Sequence, residues 1–197
     1  MNVLRISTRI YPGKSGPAKQ AYLLSKFLSK NKNFKNKIIN IACNPYDYPV
    51  NEKIINRNFK IYYLPLKAPG INAGTLKLIK FFFQFFILAL VKSFIIIKKE
   101  NINIIHSHSP APSGFIAYII KLFFKIPYVY TIHGVEKIIN IIHILDFKLT
   151  IKSSDKTLVV SRTLKKHLEK QLKLKNLKWF PNGVNIKNYF HVKNDNE

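Results

Sequence analysis

Val3-Leu4-Arg5-Ile6, then Tyr11-Pro12-Gly13-Lys14-Ser15-Gly16, then the run from Pro17 to Lys30 read as strand, tight turn and helix in immediate succession. Branched and aliphatic residues around one Arg suit a short buried strand, and the Pro- and Gly-containing turn ends it. In Pro17–Lys30, Ala21, Leu24 and Leu28 share one face while Lys19, Lys26 and Lys30 lie elsewhere, the pattern of a helix laid on a core. The unit recurs downstream. Strand-like runs at Lys37–Ala42, Lys60–Leu64, Asn103–His106, Tyr128–Ile132, Lys156–Val160 and Leu177–Phe180 alternate with helical stretches. One such stretch is opened by Pro112 and runs to Phe124; another, Leu164–Leu174, repeats Leu164, Leu168 and Leu172 every fourth residue. This alternation predicts an α/β fold class: a single Rossmann-like domain with a mostly parallel central sheet of about six or seven strands and helices on both faces.

A chain of 197 residues with 47% hydrophobic content can bury one substantial core. The formal charge of +24 would ordinarily draw it to anionic partners. The cations are overwhelmingly Lys, however, with arginine at positions Arg5, Arg9, Arg57 and Arg162, and Lys, Asn, Ile and Phe are enriched together as in chains from A/T-rich genes. Scarce Arg argues against base-reading contacts, and no specific nucleic-acid partner is expected. Salt-sensitive, Lys-driven DNA binding is the reading to set against that. Cys43 stands alone, so no internal disulfide can form, and a cytoplasmic setting is the expectation.

The segment Leu78–Lys99 is the most apolar part of the chain, with Phe81 to Val91 unbroken except for Gln84 and continuing past Lys92-Ser93 into Phe94–Ile97. A spanning helix needs roughly 20 predominantly apolar residues, and a central Lys is costly there. A helix packed on the sheet is the favoured reading. The second is an interfacial helix fringed by Lys77, Lys80, Lys92, Lys98 and Lys99, resting on an anionic membrane surface at the inner face of the membrane. Spanning comes last.

Ligands of parallel α/β sheets bind beyond the carboxyl ends of the strands, and three motifs fall there. The Tyr11–Pro17 loop is one: a small turn at a helix N-terminus suits a phosphate, although an ordinary βα turn looks the same. His106-Ser107-His108 is the second. Its two imidazoles leave the strand on one side, but no carboxylate or Cys cluster accompanies them and no metal is assigned. Thr131-Ile132-His133-Gly134 is the third, an imidazole just past a buried strand with a Gly that permits close approach.

Taken in order with Leu158-Val159-Val160-Ser161 and Phe180-Pro181-Asn182-Gly183-Val184-Asn185, these motifs resemble the N-terminal half of a retaining glycosyltransferase of family 4, a two-domain GT-B architecture. The resemblance covers almost the whole chain. It implies an acceptor-side domain over residues 1–185, a linker or polar tail over 186–197, and a C-terminal donor-binding domain lying outside this sequence. His133 is implied as the catalytic-cleft residue that hydrogen-bonds the transferred sugar. Ser15, Gly16, His108, Gly134, Ser161 and Asn182 are implied as substrate-binding. Ser15 stands where the family has the first of two glycines, and Asn185 where it commonly has Asp.

The implied reaction transfers a sugar from a nucleotide-sugar to a hydroxyl acceptor with retention of configuration, in glycan or glycolipid synthesis, with no cofactor and no metal. Its partners would be that nucleotide-sugar, an acceptor that is lipid-linked in one option, and a donor-binding domain or separate subunit. A non-catalytic, membrane-associated binding module of the same fold is the competing reading. The Asp-x-Asp triplet of metal-dependent transferases, the P-loop and the Gly-x-Gly-x-x-Gly fingerprint are all missing from the sequence.

Overall fold

β1 (Asn2–Ser7) is buried along nearly its whole length, as a strand covered on both faces must be. The computed structural model describes residues 1–31, 36–70, 73–108, 112–134, 148–172, 174 and 177–183. The expected linker over 186–197, together with Val184 and Asn185, lies outside them.

The elements follow the expected alternation. After β1 come α1 (Gly16–Lys30), β2 (Lys37–Cys43), β3 (Glu52–Asn56), β4 (Phe59–Leu64), α2 (Thr75–Glu100), β5 (Ile104–His108) and α3 (Ser113–Phe124). β6 (Tyr128–Ile132), a helical segment α4 at 148–153, β7 (Lys156–Val159), α5 (Arg162–Leu172) and β8 (Leu177–Trp179) complete the set. Among the described residues the sheet has eight strands in the order β3-β4-β2-β1-β5-β6-β7-β8. Every pairing is parallel except β3 with β4.

The extra strand, β3, is the one the sequence hides. Its Glu52-Lys53-Ile54 half is exposed, so it carries no alternating core pattern; it is held by antiparallel pairing to β4 as a charged sheet edge. β5 also extends two residues past the expected end, which places His108 inside the sheet.

Alternation of side chains distributes the core between the two faces. Leu4, Ile6, Ile39, Ile41 and Ile105 pack with Phe85 and Ala89 of α2 and Ile116 and Ile120 of α3. Val3, Ile38, Ala42 and Phe59 point the other way, against Tyr22 and Leu28 of α1. Helices thus cover both faces. α3 approaches β6 closely because Gly114 has no side chain: a Cβ there would lie 3.1 Å from the Tyr130 ring and 3.2 Å from Thr150 Cγ2.

From β1 the chain builds outward through β2 to β4, then α2 carries it back across to β5 on the other side of β1. The direction of winding reverses between β1 and β5. Such a switch leaves a crevice beyond the carboxyl ends of the two strands, where the connecting loops diverge.

Candidate functional site

The residues at this switch point are polar, buried and on one face. β1 pairs with β5 so that Arg5 lies opposite His106 and Ser7 opposite His108; β5 pairs with β6 so that His108 lies opposite Thr131. Arg5 is completely buried and has no carboxylate partner among the described residues. Its guanidinium donates to Ala21 O at 2.9 Å, to Ser25 Oγ at 2.5 Å and to His106 Nδ1 at 3.2 Å. Desolvation alone pushes its pKa down to about 9, so the cation sits there at a cost. An arginine can only donate; His106 Nδ1 must therefore accept, and its other nitrogen carries the proton to Thr131 Oγ1 at 2.8 Å.

The chain of contacts continues to the strand ends. The His106 and His108 rings lie 4.2 Å apart, and His108 stacks on His133 at 5.4 Å with Nδ1 of the first 3.1 Å from Nε2 of the second. Burial, then the neighbouring Arg5 charge, holds His106 well below the usual imidazole range. Burial and the adjacent His106 do the same to His108. Desolvation brings His133 down to about 4, so all three rings are neutral near pH 7.

Arg5 Nε, Ser7 Oγ, His108 Nε2 and His133 Nδ1 are buried and have no hydrogen-bond partner among the described residues. Most buried polar groups are satisfied, so such a concentration calls for a water or ligand to meet it. A buried orphan N–H is rarer than an under-used acceptor. Either tautomer arrangement of the His108–His133 pair leaves one unmet N–H, at His108 Nε2 or at His133 Nδ1. With His108 donating it falls on the less buried ring, as His133 Nδ1–H at the end of β6.

Ser15 and Gly16 stand at the start of α1, beyond the end of β1. The Ser15 hydroxyl accepts from Ala18 N at 3.1 Å and caps the helix, while a Cβ at Gly16 would meet nothing within 4 Å. Gly134 is exposed and equally unconfined. Ser161 caps α5, its hydroxyl accepting from Leu164 N at 3.0 Å, and Asn182 is exposed beyond β8. The structure therefore brings His108 and His133 into contact. It sets Ser15 and Gly16 one strand away across the switch and puts Ser161 and Asn182 at the far edge of the sheet. Arg5 and Ser7 join the cluster without any sequence signal for a site, and His106 and Thr131 join it from the motifs that contain His108 and His133, where the resemblance assigns them no substrate role. Among the described residues no group of three His, Cys, Asp or Glu is placed to hold a metal.

On the other side of the Tyr11–Ser15 loop, beyond β1, β2 and β4, opens a cleft of about 340 Å³. Arg9, Lys14 and Lys67 line it together with Asp47, which pairs with Lys67 at 2.7 Å. Cys43 lies at its floor with its thiol pushed up to about 12 by burial, so it is no nucleophile. Neither Gly16 nor His133 lines this cleft.

Fold and polar switch point together define one half of a GT-B architecture. The sequence profile of Glycosyltransferase Family 4 matches residues 16–188, and the chain belongs to that family. An uncharacterized glycosyltransferase of Methanocaldococcus jannaschii is 36% identical over 93 residues, which are 46% of this chain and 26% of that protein. Among solved structures, sucrose-phosphate synthase from Thermosynechococcus elongatus superposes with a TM-score of 0.75 at 15% identity, over 94% of this chain and 49% of that one. A UDP-GlcNAc 2-epimerase from Neisseria meningitidis, bound to UDP-GlcNAc, superposes at 0.55 and 14% identity over 90% of this chain and 45% of its own. At such identities the structural likenesses speak for the fold. The chain spans about a quarter of the length of its curated relative and about half of these structures.

Proposed function

We propose that this chain supplies the acceptor-side half of a retaining transfer of a sugar from a nucleotide-sugar to a hydroxyl acceptor. A donor-binding domain, in the same polypeptide or a separate subunit, holds most of the nucleotide. The observation that carries the reading is the row of unmet polar atoms at the switch point, ending in His133 Nδ1. A neutral imidazole held by His108 offers a sugar oxygen a directed hydrogen bond without placing a cation beside the anomeric centre, where positive charge develops in glycosyl transfer. The N-terminus of α1 at Ser15-Gly16, with Lys14 beside it, suits the negative charge that gathers on a departing diphosphate. The cleft lined by Arg9, Lys14 and Lys67 is where the acceptor enters in this reading, and its net positive lining suits an acceptor bearing an anionic group. No metal is required by this arrangement, because helix dipole and lysine take the electrostatic part.

The test is transfer of labelled sugar from a panel of nucleotide-sugars by this chain combined with its donor-binding half. His133→Ala is expected to lower transfer by about 100-fold, the scale of a lost positioning contact, while the melting temperature stays within a few degrees of the parent. Undiminished transfer by the variant would remove His133 from the site.

A further inference from the structure

We propose that α2 is a docking helix that seats this protein on an anionic lipid bilayer. The inference is independent of the reaction proposed above. Its ground is a contradiction between composition and packing: α2 is long and apolar enough to cross a membrane, yet only 22% of its most apolar window is buried inside the protein.

Its two faces divide the helix. Phe85, Ala89, Ser93, Ile96 and Ile97 are turned to the sheet and buried. On the opposite side Leu76, Ile79, Phe83, Ile87, Val91 and Ile95, three or four residues apart, are 43% to 85% exposed. That spacing lines them along one helix face. α3 extends the patch sideways with Leu122 and Phe123, 50% and 72% exposed, and Phe94 bridges the two helices through ring contacts to Phe123 and Phe124. An apolar surface of this extent is unusual on a soluble face and marks a place where something docks.

The charges around it identify what docks. Exposed Lys77 and Lys80 stand near one end of the stripe, exposed Lys98 and Lys99 at the other, with Lys125 beyond α3. The two helices hold one carboxylate, Glu100, and it is already engaged by Lys37 and Lys60. An apolar strip with lysines at both ends matches a bilayer surface: acyl chains receive the Phe and Ile side chains, and anionic headgroups meet the ammonium groups. A second copy of the chain is a poor occupant, since it would press the same lysines together. A spanning orientation fails too, because the buried face of α2 is fixed to a sheet that would have to follow it into the hydrocarbon.

The whole chain is tested by co-sedimentation with vesicles of phosphatidylcholine alone and of phosphatidylcholine with an equal part of phosphatidylglycerol. Binding to the anionic vesicles is expected to be at least about tenfold stronger than to the neutral ones and to weaken with salt. Phe83→Glu is expected to cut it by about tenfold. Ile54→Glu, which makes the same charge change at the exposed edge strand β3, should leave it nearly unaltered. Both sites are exposed, so melting temperatures should match the parent. Phe83→Trp in a Trp179→Phe background gives a second reading: its emission should shift to the blue on anionic vesicles. Wild-type protein that stays in the supernatant, equal losses in Phe83→Glu and Ile54→Glu, self-association through the stripe without vesicle binding, or unshifted emission from the Phe83→Trp variant would each overturn the proposal.

Discussion

Two glycines in one loop separate what the fold needs from what a ligand needs. A Cβ on Gly13 would sit 2.8 Å from the carbonyl oxygen of Ile10, the same oxygen that accepts the Gly13 N–H at 2.7 Å. The obstacle is backbone, which cannot turn aside. Gly13→Ala is expected to lose about 1–3 kcal/mol, read as a lower urea midpoint with an unchanged slope. Gly16 has open space around it and an ordinary backbone angle. Gly16→Ala should leave stability level or raise it by a few tenths of a kcal/mol by restricting the unfolded chain. Under the proposed function it should nonetheless slow sugar transfer, because the added methyl occupies space at the helix N-terminus. A Gly16→Ala protein that melts lower than Gly13→Ala would invert this division. At this scale the sequence showed part of the site. Alternation along β5 puts His106 and His108 on one side from spacing alone, as the structure has it. Arg5 carried no such signal: in a Lys-rich chain it reads as one more cation, and its partner His106 lies 101 residues away, brought near by the crossover from β4 to β5.

α2 shows how an element can be legible in kind and illegible in orientation. The run from Phe81 to Ile97 announces a helix, but where almost every position is apolar, periodicity cannot say which phenylalanine faces in. Packing decides: Phe85 is wholly buried against the sheet and Phe83 is 59% exposed. Phe85→Ala is expected to cost about 3–5 kcal/mol through lost burial and a residual cavity, against less than about 0.5 kcal/mol for Phe83→Ala in the absence of lipid. Equal costs in denaturant titrations would mean that the helix is rotated from the position described. β3 presents the opposite problem. Its exposed half gives no core pattern, so only pairing with β4 reveals it, and pairing is a property of the partner. Strands covered on both faces, such as β1 and β2, were readable because burial writes itself into a continuous apolar run.

Across the whole molecule, the switch point couples the site to stability. The layers that bury Arg5, His106 and His108 are the same ones that hold the sheet together, so the cost of keeping these groups dry is carried by the entire domain. The sign follows from which state takes up protons. His106 and His108 have values well below 6.5 in the folded protein, and His133 titrates at about 4, in each case chiefly because burial disfavours the charged ring. Unfolded, each would bind its proton near pH 6.5. Between that pH and about 4 the unfolded chain therefore holds more protons than the native one, and stability must fall as the solution is acidified. Above pH 6.5 the three rings are neutral in both states and contribute no slope. The upper part of the window, from about pH 6.5 to 5, isolates the histidines because ordinary carboxylates remain ionised there. Unfolding titrations across it should give a stability that declines toward acid with up to about 1.4 kcal/mol per pH unit for each imidazole held neutral. His133→Asn should remove one proton from that slope while leaving the plateau above pH 7 little changed. A parent protein whose stability is flat from pH 7 to 5 would show that these rings are solvated or charged in the native state, and the neutral hydrogen-bonding role given to His133 would fall with it.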